Sequence, residues 1–165
     1  MYQIGDQVVY GIHGVCAIVE VENRLVDRRR VEYFALEPLD QPGARFYVPT
    51  GNPAALSKLR PVLSRGELEE LLASDSVRQD TWIQDEGRRK LYYRELINSG
   101  DRGALLSMVG SLYRHKEVQA SLGRKFHLCD ENFLRDAQKL LCSEFSLVLG
   151  LGQNEVNAYL KEKLS

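Results

Sequence analysis

Little in this sequence is chemically specialised, and each scarcity excludes something. There are three cysteines, Cys16, Cys129 and Cys142, and they are far apart. An odd number with no C-x-x-C pair gives no disulfide framework and no zinc-ribbon pattern, so buried free thiols are expected. Histidine is equally sparse: His13, His115 and His127. His13 lies between Ile12 and Gly14 in an expected turn, where a lone histidine packs or bonds to backbone. His127-Leu128-Cys129 offers two metal ligands, but no second pair stands at zinc-like spacing, so neither a metal nor a cofactor is expected. G-x-S-x-G, P-loop and G-x-G-x-x-G patterns are absent, which leaves an enzyme reading without a site. The paired acids Glu69-Glu70 and Asp85-Glu86 are expected on solvated helix faces. Apolar runs last only a few residues, too short to span a membrane. The start, MYQIGDQVVYG, has no basic n-region and no long apolar stretch, so no signal peptide and a cytoplasmic location are expected. Net charge is −1, so any affinity for nucleic acid must come from local clustering.

What is present changes character near residue 64. Before it, short β-prone runs alternate with turn residues: Gln7–Tyr10, Val15–Val21, Val31–Glu37 and Arg45–Val48, the last ending at Pro49. Asn23 to Arg30 is polar and is expected as a hairpin turn. Asp40-Gln41-Pro42-Gly43 is a second turn signal. So few short strands cannot build a large sandwich. A small SH3- or Tudor-like barrel buries the most surface and limits exposed edges. Pro61-Val62-Leu63 is expected as the last extended segment.

After residue 64 the period is helical. Ser64-Arg65-Gly66-Glu67 fits the S-x-x-E capping box, with Leu68, Leu71 and Leu72 facing inward from the helix behind it. Ala73 to Gln79 is polar and small and reads as a linker or loop. Asp80 is expected to cap a helix running to about Asn98, stopped by Ser99-Gly100. Asp101 caps the next helix, whose Ala104, Leu105, Met108, Val109, Leu112 and Tyr113 make the cleanest core stripe. Gln119 to Cys129 is expected as a loop. Asp130 is expected to cap a helix burying Phe133, Leu134, Ala137, Leu140, Leu141, Phe145 and Val148, ended by Gly150. A last helix from about Asn154 carries Val156, Tyr159, Leu160 and Leu164. The fold class is therefore α+β: a β barrel over 1–63, then a module of about five helices over 64–165.

Charge is uneven along the helical part. Glu67 to Glu86 is acidic. Gly87 to Lys125 carries Arg88, Arg89, Lys90, Arg94, Arg102, Arg114, Lys116, Arg124 and Lys125 against three acids. The only tryptophan, Trp82, precedes this stretch. On a helix, Trp82, Glu86 and Arg89 share a face. An indole on a basic face can wedge at a kinked or melting base step while guanidinium groups hold phosphates. The alternative is a tryptophan filling a seam beside a solvated basic face. In the β part, Arg24 and Arg28-Arg29-Arg30 fall at or near the hairpin between the second and third strands. Small barrels of this kind bind proteins through an exposed strand, and these arginines can meet acids on a partner.

Taken in order, Ile4-Gly5-Asp6-Gln7-Val8-Val9-Tyr10, His13-Gly14-Val15, Glu32-Tyr33-Phe34-Ala35-Leu36 and Val48-Pro49 resemble the CarD/CdnL transcription factors. Those share their N-terminal module with transcription-repair coupling factors. In the helical half the resemblance rests on Arg88-Arg89, Ser99-Gly100-Asp101 and Ala137-Gln138-Lys139-Leu140-Leu141-Cys142-Ser143-Glu144. At 165 residues the chain resembles the stand-alone factors and not the repair helicase.

The resemblance implies that the Tudor-like module docks on the β subunit of bacterial RNA polymerase, partly by strand addition. It implies that the helical module contacts promoter DNA at the upstream edge of the transcription bubble, where a tryptophan wedges into the minor groove. The expected polymerase-binding residues are Arg24, Arg28 and Tyr47. The expected DNA-binding residues are Trp82, Arg88, Arg89, Lys90, Arg94, Arg114, Lys116 and Lys125. The family's tryptophan position falls on Glu86 here. Trp82 stands four residues earlier, about one helical turn or roughly 6 Å along the axis. The expected function is a regulator of transcription initiation, monomeric when free and brought to the nucleoid by polymerase. The competing reading is an adaptor whose helical half binds a protein and not DNA.

Overall fold

The computed structural model describes residues 1–165. The chain forms two compact units, Met1–Val62 and Leu63–Ser165. The first is an antiparallel β unit and the second is helical, which is the α+β class expected.

In the first unit, strands β1 (Gln7–Tyr10), β2 (Val15–Val26), β3 (Arg29–Pro38), β4 (Phe46–Pro49) and β5 (Leu59–Pro61) pair in the order β4-β3-β2-β1-β5. Every pairing is antiparallel. Strands β4 and β5 are the hydrogen-bonding ends of the sheet. Between them lies a single helical turn, α1 (Pro53–Leu56), whose cap Asn52 accepts from the Ala54 and Ala55 amides. Proline at the first helical position suits it, since that amide has no intrahelical acceptor. One face buries Val8, Cys16, Ile18, Phe34, Leu36, Val48 and Leu59.

A bulge sets which residues of β2 face outward. Ile18 opposes Leu36 and Glu20 opposes Ala35, so Val19 has no partner across the ladder. Without the extra residue, Glu20 would follow Ile18 onto the core face, because side chains alternate strictly along a strand. With it, Glu20, Glu22 and Arg24 share the outer face with Tyr33 and Tyr47.

The hairpin differs from expectation. Asn23 to Arg30 is not a polar turn. β2 continues to Val26 and β3 begins at Arg29, leaving a loop of two residues, Asp27 and Arg28. Both have positive φ, 49° and 65°, as a primed hairpin turn requires. The usual Asn-Gly signal is absent. The strands there are exposed on both faces, so no apolar alternation announces them. Likewise β5 ends where Pro61 was expected to begin an extended segment.

In the second unit, α2 (Arg65–Ala73) carries the complete capping box between Ser64 and Glu67. A 3-10 turn over Asp75–Arg78 buries Val77 completely, so this stretch is part of the core and not a linker. The remaining helices are α3 (Glu86–Ser99), α4 (Arg102–Ser121), α5 (Leu128–Leu149) and α6 (Gln153–Leu164). Helix α4 is the axis of the unit: every residue from Leu105 to Tyr113 is buried. Gly110 faces α6, where a Cβ would meet Leu164 at an ordinary 3.6 Å and crowd only the end of the Arg114 side chain, at 3.2 Å. Ser107 and Ser111, polar residues inside a buried helix, tie down the chain before α3. Ser107 donates to the Ser76 carbonyl (2.7 Å), and Ser111 accepts from the Thr81 amide (2.9 Å). No helix is long and apolar enough to cross a membrane.

Two expected caps are corrected. Helix α3 starts at Glu86 with Asp85 as its cap, accepting from the Arg88 amide. Asp80 instead accepts from the Trp82 amide (3.0 Å) in a local turn. Helix α5 starts at Leu128, and Asp130 lies inside it, buried by an ion pair that local sequence cannot show.

Candidate functional site

Two surfaces hold the sequence-derived residues, one on each unit. On the β unit, cross-strand register brings Arg24, Tyr33 and Tyr47 together beside the free edge of β4. The Arg24 guanidinium lies 4.0 Å from the centre of the Tyr47 ring and 6.0 Å from that of Tyr33. Its Nε and Nη2 donate to one oxygen of Glu22 at 3.1 and 2.9 Å. Contact with a ring on one side and a carboxylate on one edge hold the guanidinium in place. Arg45, which the sequence reading left out, joins the cluster through Glu20 at 2.9 Å and Glu22 at 3.9 Å. Its signal was the two-residue spacing to Tyr47, which places both on one face of an extended segment. Arg28 stands apart, exposed at the hairpin tip.

Three features make this surface suited to a protein partner: an edge strand with unpaired backbone groups, an oriented guanidinium, and exposed apolar side chains on the ribbon. Leu25 is 79% exposed and Val26 41% exposed. His13 is exposed too, its ring 4.3 Å from Phe46 and 5.1 Å from Tyr10.

On the helical unit the residues part company. Trp82 is not helical, so it shares no helix face with Glu86 and Arg89. It is half-buried against the core of the unit. Its indole stacks on His115, with centroids 3.4 Å apart and planes 17° apart, and the Arg89 guanidinium lies 4.0 Å from the same ring. The indole Nε1 is buried with no acceptor, a cost of about 1–3 kcal/mol for an unsatisfied donor.

Arg89 is not a surface cation. It is 3% exposed and forms a two-pronged pair with Asp130, at 2.9 and 3.0 Å, while Nη1 donates to the Ile83 carbonyl at 2.8 Å. It anchors α3 to α5 and holds the chain leading from Trp82. In a second pair, the partly buried Arg102 donates to the buried Glu144 at 2.6 Å through Nε and Nη2, and Glu144 also accepts from the Leu63 amide at 2.8 Å. The Ser99-Gly100-Asp101 motif is a joint: Gly100 takes the left-handed conformation (φ 63°) that ends α3, and Asp101 caps α4 by accepting from the Ala104 amide.

Of the other basic residues, Arg88, Arg94 and Lys125 are exposed. Lys90 pairs with Glu86 at 3.3 Å and Lys116 with Glu131 at 2.9 Å. Arg114 is half-buried, reaching the Leu164 carbonyl and the Ser111 hydroxyl. Those three are partly engaged inside the unit, whereas Arg88, Arg94, Arg124 and Lys125 are exposed.

The titratable groups follow the same division. Burial pushes the Cys16 and Cys142 thiols up to about 11 and the Tyr93 phenol up to about 12. Those two thiols are buried as expected, while Cys129 is only partly so and donates to Glu86. That hydrogen bond, then Lys90, holds the Glu86 carboxyl below its ordinary value. Burial lowers His115, the stacking partner that the sequence did not reveal.

Residues 2–62 match the family model of the CarD-like/TRCF RID domain. The β unit is therefore similar to that domain, in keeping with the N-terminal motifs. Such a domain fits RNA polymerase-interacting transcription factors. A search of curated proteins gave no match to the chain.

Proposed function

We propose that this protein regulates transcription initiation without catalysing a reaction: its β unit docks on the β subunit of RNA polymerase, and its helical unit contacts promoter DNA at the bubble edge. The observation that carries the reading is the family match over residues 2–62, which coincides with a compact unit bearing an edge strand and an oriented arginine. Docking adds a partner strand to β4 while Arg24, backed by Tyr47, meets a carboxylate on polymerase. Arg28 adds charge at the hairpin tip. On the helical unit, Arg88, Arg94 and Lys125 supply phosphate contacts. Arg89 supports the reading only as a buried brace behind Trp82.

The test is a direct titration of the full chain against RNA polymerase and against its isolated β subunit. Saturable binding to both is expected, and no binding to polymerase overturns the proposal. The adaptor alternative is separated by salt. A contact through several phosphates weakens steeply as salt rises, whereas binding of the helical unit to a protein through apolar surface does not.

A further inference from the structure

The longest open strand edge in the β unit belongs to β2. Its first residues, Val15 to Ala17, pair with β1, and the Ile18 carbonyl accepts from the Gly5 amide. From Glu20 to Val26 it pairs with β3 alone. Strand β4 covers the far side of β3 only from Tyr33 to Leu36. The ribbon from Arg24 to Val31 therefore has no third strand on either side. Two strands by themselves are marginal in water, and a long open edge is usually blunted by proline, lysine, a bulge or a cover. Here the bulge lies before Glu20. The segment Glu20-Val21-Glu22-Asn23-Arg24-Leu25-Val26 holds no proline, glycine or lysine, and all of it but Glu22 is exposed.

The order of residues on that edge is its own complement. Let two copies run antiparallel about a two-fold axis at Asn23. Asn23 then faces Asn23, Glu22 faces Arg24 on both sides of the axis, Val21 faces Leu25, and Glu20 faces Val26. Directly opposed residues of an antiparallel pair lie on one face of the sheet. The charges meet on the outer face, where Glu22 and Arg24 already bond within the strand at 2.9 Å. Val21 and Leu25 meet on the other face, which Val21 shares with its ladder partner Phe34 of the core. Opposite charges and apolar groups are both matched, and no like charges stand opposed. The other edges lack this property. The open part of β3 starts with Arg29-Arg30, which would set arginines together, while β4 and the three-residue β5 both end in proline.

We propose that the Glu20–Val26 edge pairs with the same edge of a second copy of this chain, joining two ribbons into one antiparallel sheet. Glu22 and Arg24 set the register, and the two-fold axis doubles each contact between them. One strand pair is a small interface, so the association is weak and follows concentration. The pairing leaves the β4 edge open and does not rest on the docking proposed above.

Sedimentation velocity of the full chain, from about 10 μM to about 1 mM, should show monomer giving way to dimer. Glu22→Arg and Arg24→Glu should each weaken the dimer about tenfold or more, because each opposes like charges at two symmetric places. An equimolar mixture of the two variants should associate again, since one strand then carries two arginines and the other two glutamates. The axis is tested separately. Asn23→Cys in a Cys129→Ser background should form an intermolecular disulfide under mild oxidation, because facing residues stand about 4.5–5.5 Å apart at Cα. Arg29→Cys on the same ribbon should not. A wild type that stays monomeric across the range overturns the proposal. So does a dimer that neither charge variant weakens, a mixture that associates no better than its parts, or Asn23→Cys crosslinking no faster than Arg29→Cys. A monomeric wild type whose polymerase binding is lost in Glu22→Arg assigns the edge to polymerase and also overturns the dimer.

Discussion

Trp82 and His115 stack face to face, 3.4 Å between ring centres, and this pairing links the chain before α3 to the central helix α4. With Arg89 against the same indole, it makes Trp82 a fixed part of the helical unit. Trp82→Ala should therefore cost stability. Full burial of a tryptophan is worth about 3–5 kcal/mol on truncation. Half-burial and the unpartnered Nε1 reduce that to about 2 kcal/mol, or roughly 10 °C in Tm for a unit of this size. Thermal melting followed by circular dichroism checks it. A Tm within a degree of wild type would leave the indole as a dispensable surface group.

The same pair gives a pH dependence. Burial lowers His115 below its ordinary value, so the unfolded chain takes up this proton first as pH falls. The contribution of neutral His115 is complete above its unfolded value of about 6.5 and declines as pH drops toward the lower folded value. The Tm advantage of wild type over His115→Phe should thus shrink between pH 7.5 and 5.5 (about one unit either side of that value). Trp82 fluorescence reports the change without interference, since no other tryptophan exists.

The Arg89–Asp130 pair should behave as a buried ion pair. Asp130→Ala leaves an uncompensated buried guanidinium and is expected to cost about 3–5 kcal/mol. Replacing both partners, by Arg89→Met with Asp130→Leu, should recover most of that loss. Urea midpoints for the single and double variants measure it. A double variant no more stable than Asp130→Ala contradicts the assignment.

On the β unit, Arg24→Glu should reduce polymerase affinity about tenfold or more, through repulsion of a carboxylate partner. The Arg24 side chain is 46% exposed and its ion pair with Glu22 is a surface one, so the fold should be unaffected. Binding to the β subunit, measured alongside melting of the same sample, separates the two effects. Unchanged affinity removes Arg24 from the interface.

Arg28→Gly tests a residue with two possible roles. Its φ of 65° is unfavourable for arginine and free for glycine, so the variant should be more stable by about 1 kcal/mol. If Arg28 also meets polymerase, the same variant binds more weakly. Greater stability with unaltered binding confines the residue to the turn.

The sequence alone determined what depends on neighbours along the chain. Local patterns placed the α+β division, the capping box at Ser64, the stop at Gly100 and the core stripe of α4, because period, caps and turn residues act within a few positions. The N-terminal motifs likewise marked the domain family, since they record the turns and apolar alternation of that sheet. Tertiary structure decided everything that needs a partner distant in the chain. Asp130 reads locally as a cap, yet Arg89, forty-one positions away, draws it into the core. Trp82 reads as part of a helix, yet Ser111 and His115 hold its non-helical segment against α4. The bulge at Val19 turns Glu20, Glu22 and Arg24 outward to meet Arg45 and Tyr47. Local sequence sets backbone preference cheaply and early, but a buried charge or indole settles only where desolvation is offset, and that partner is chosen by the fold.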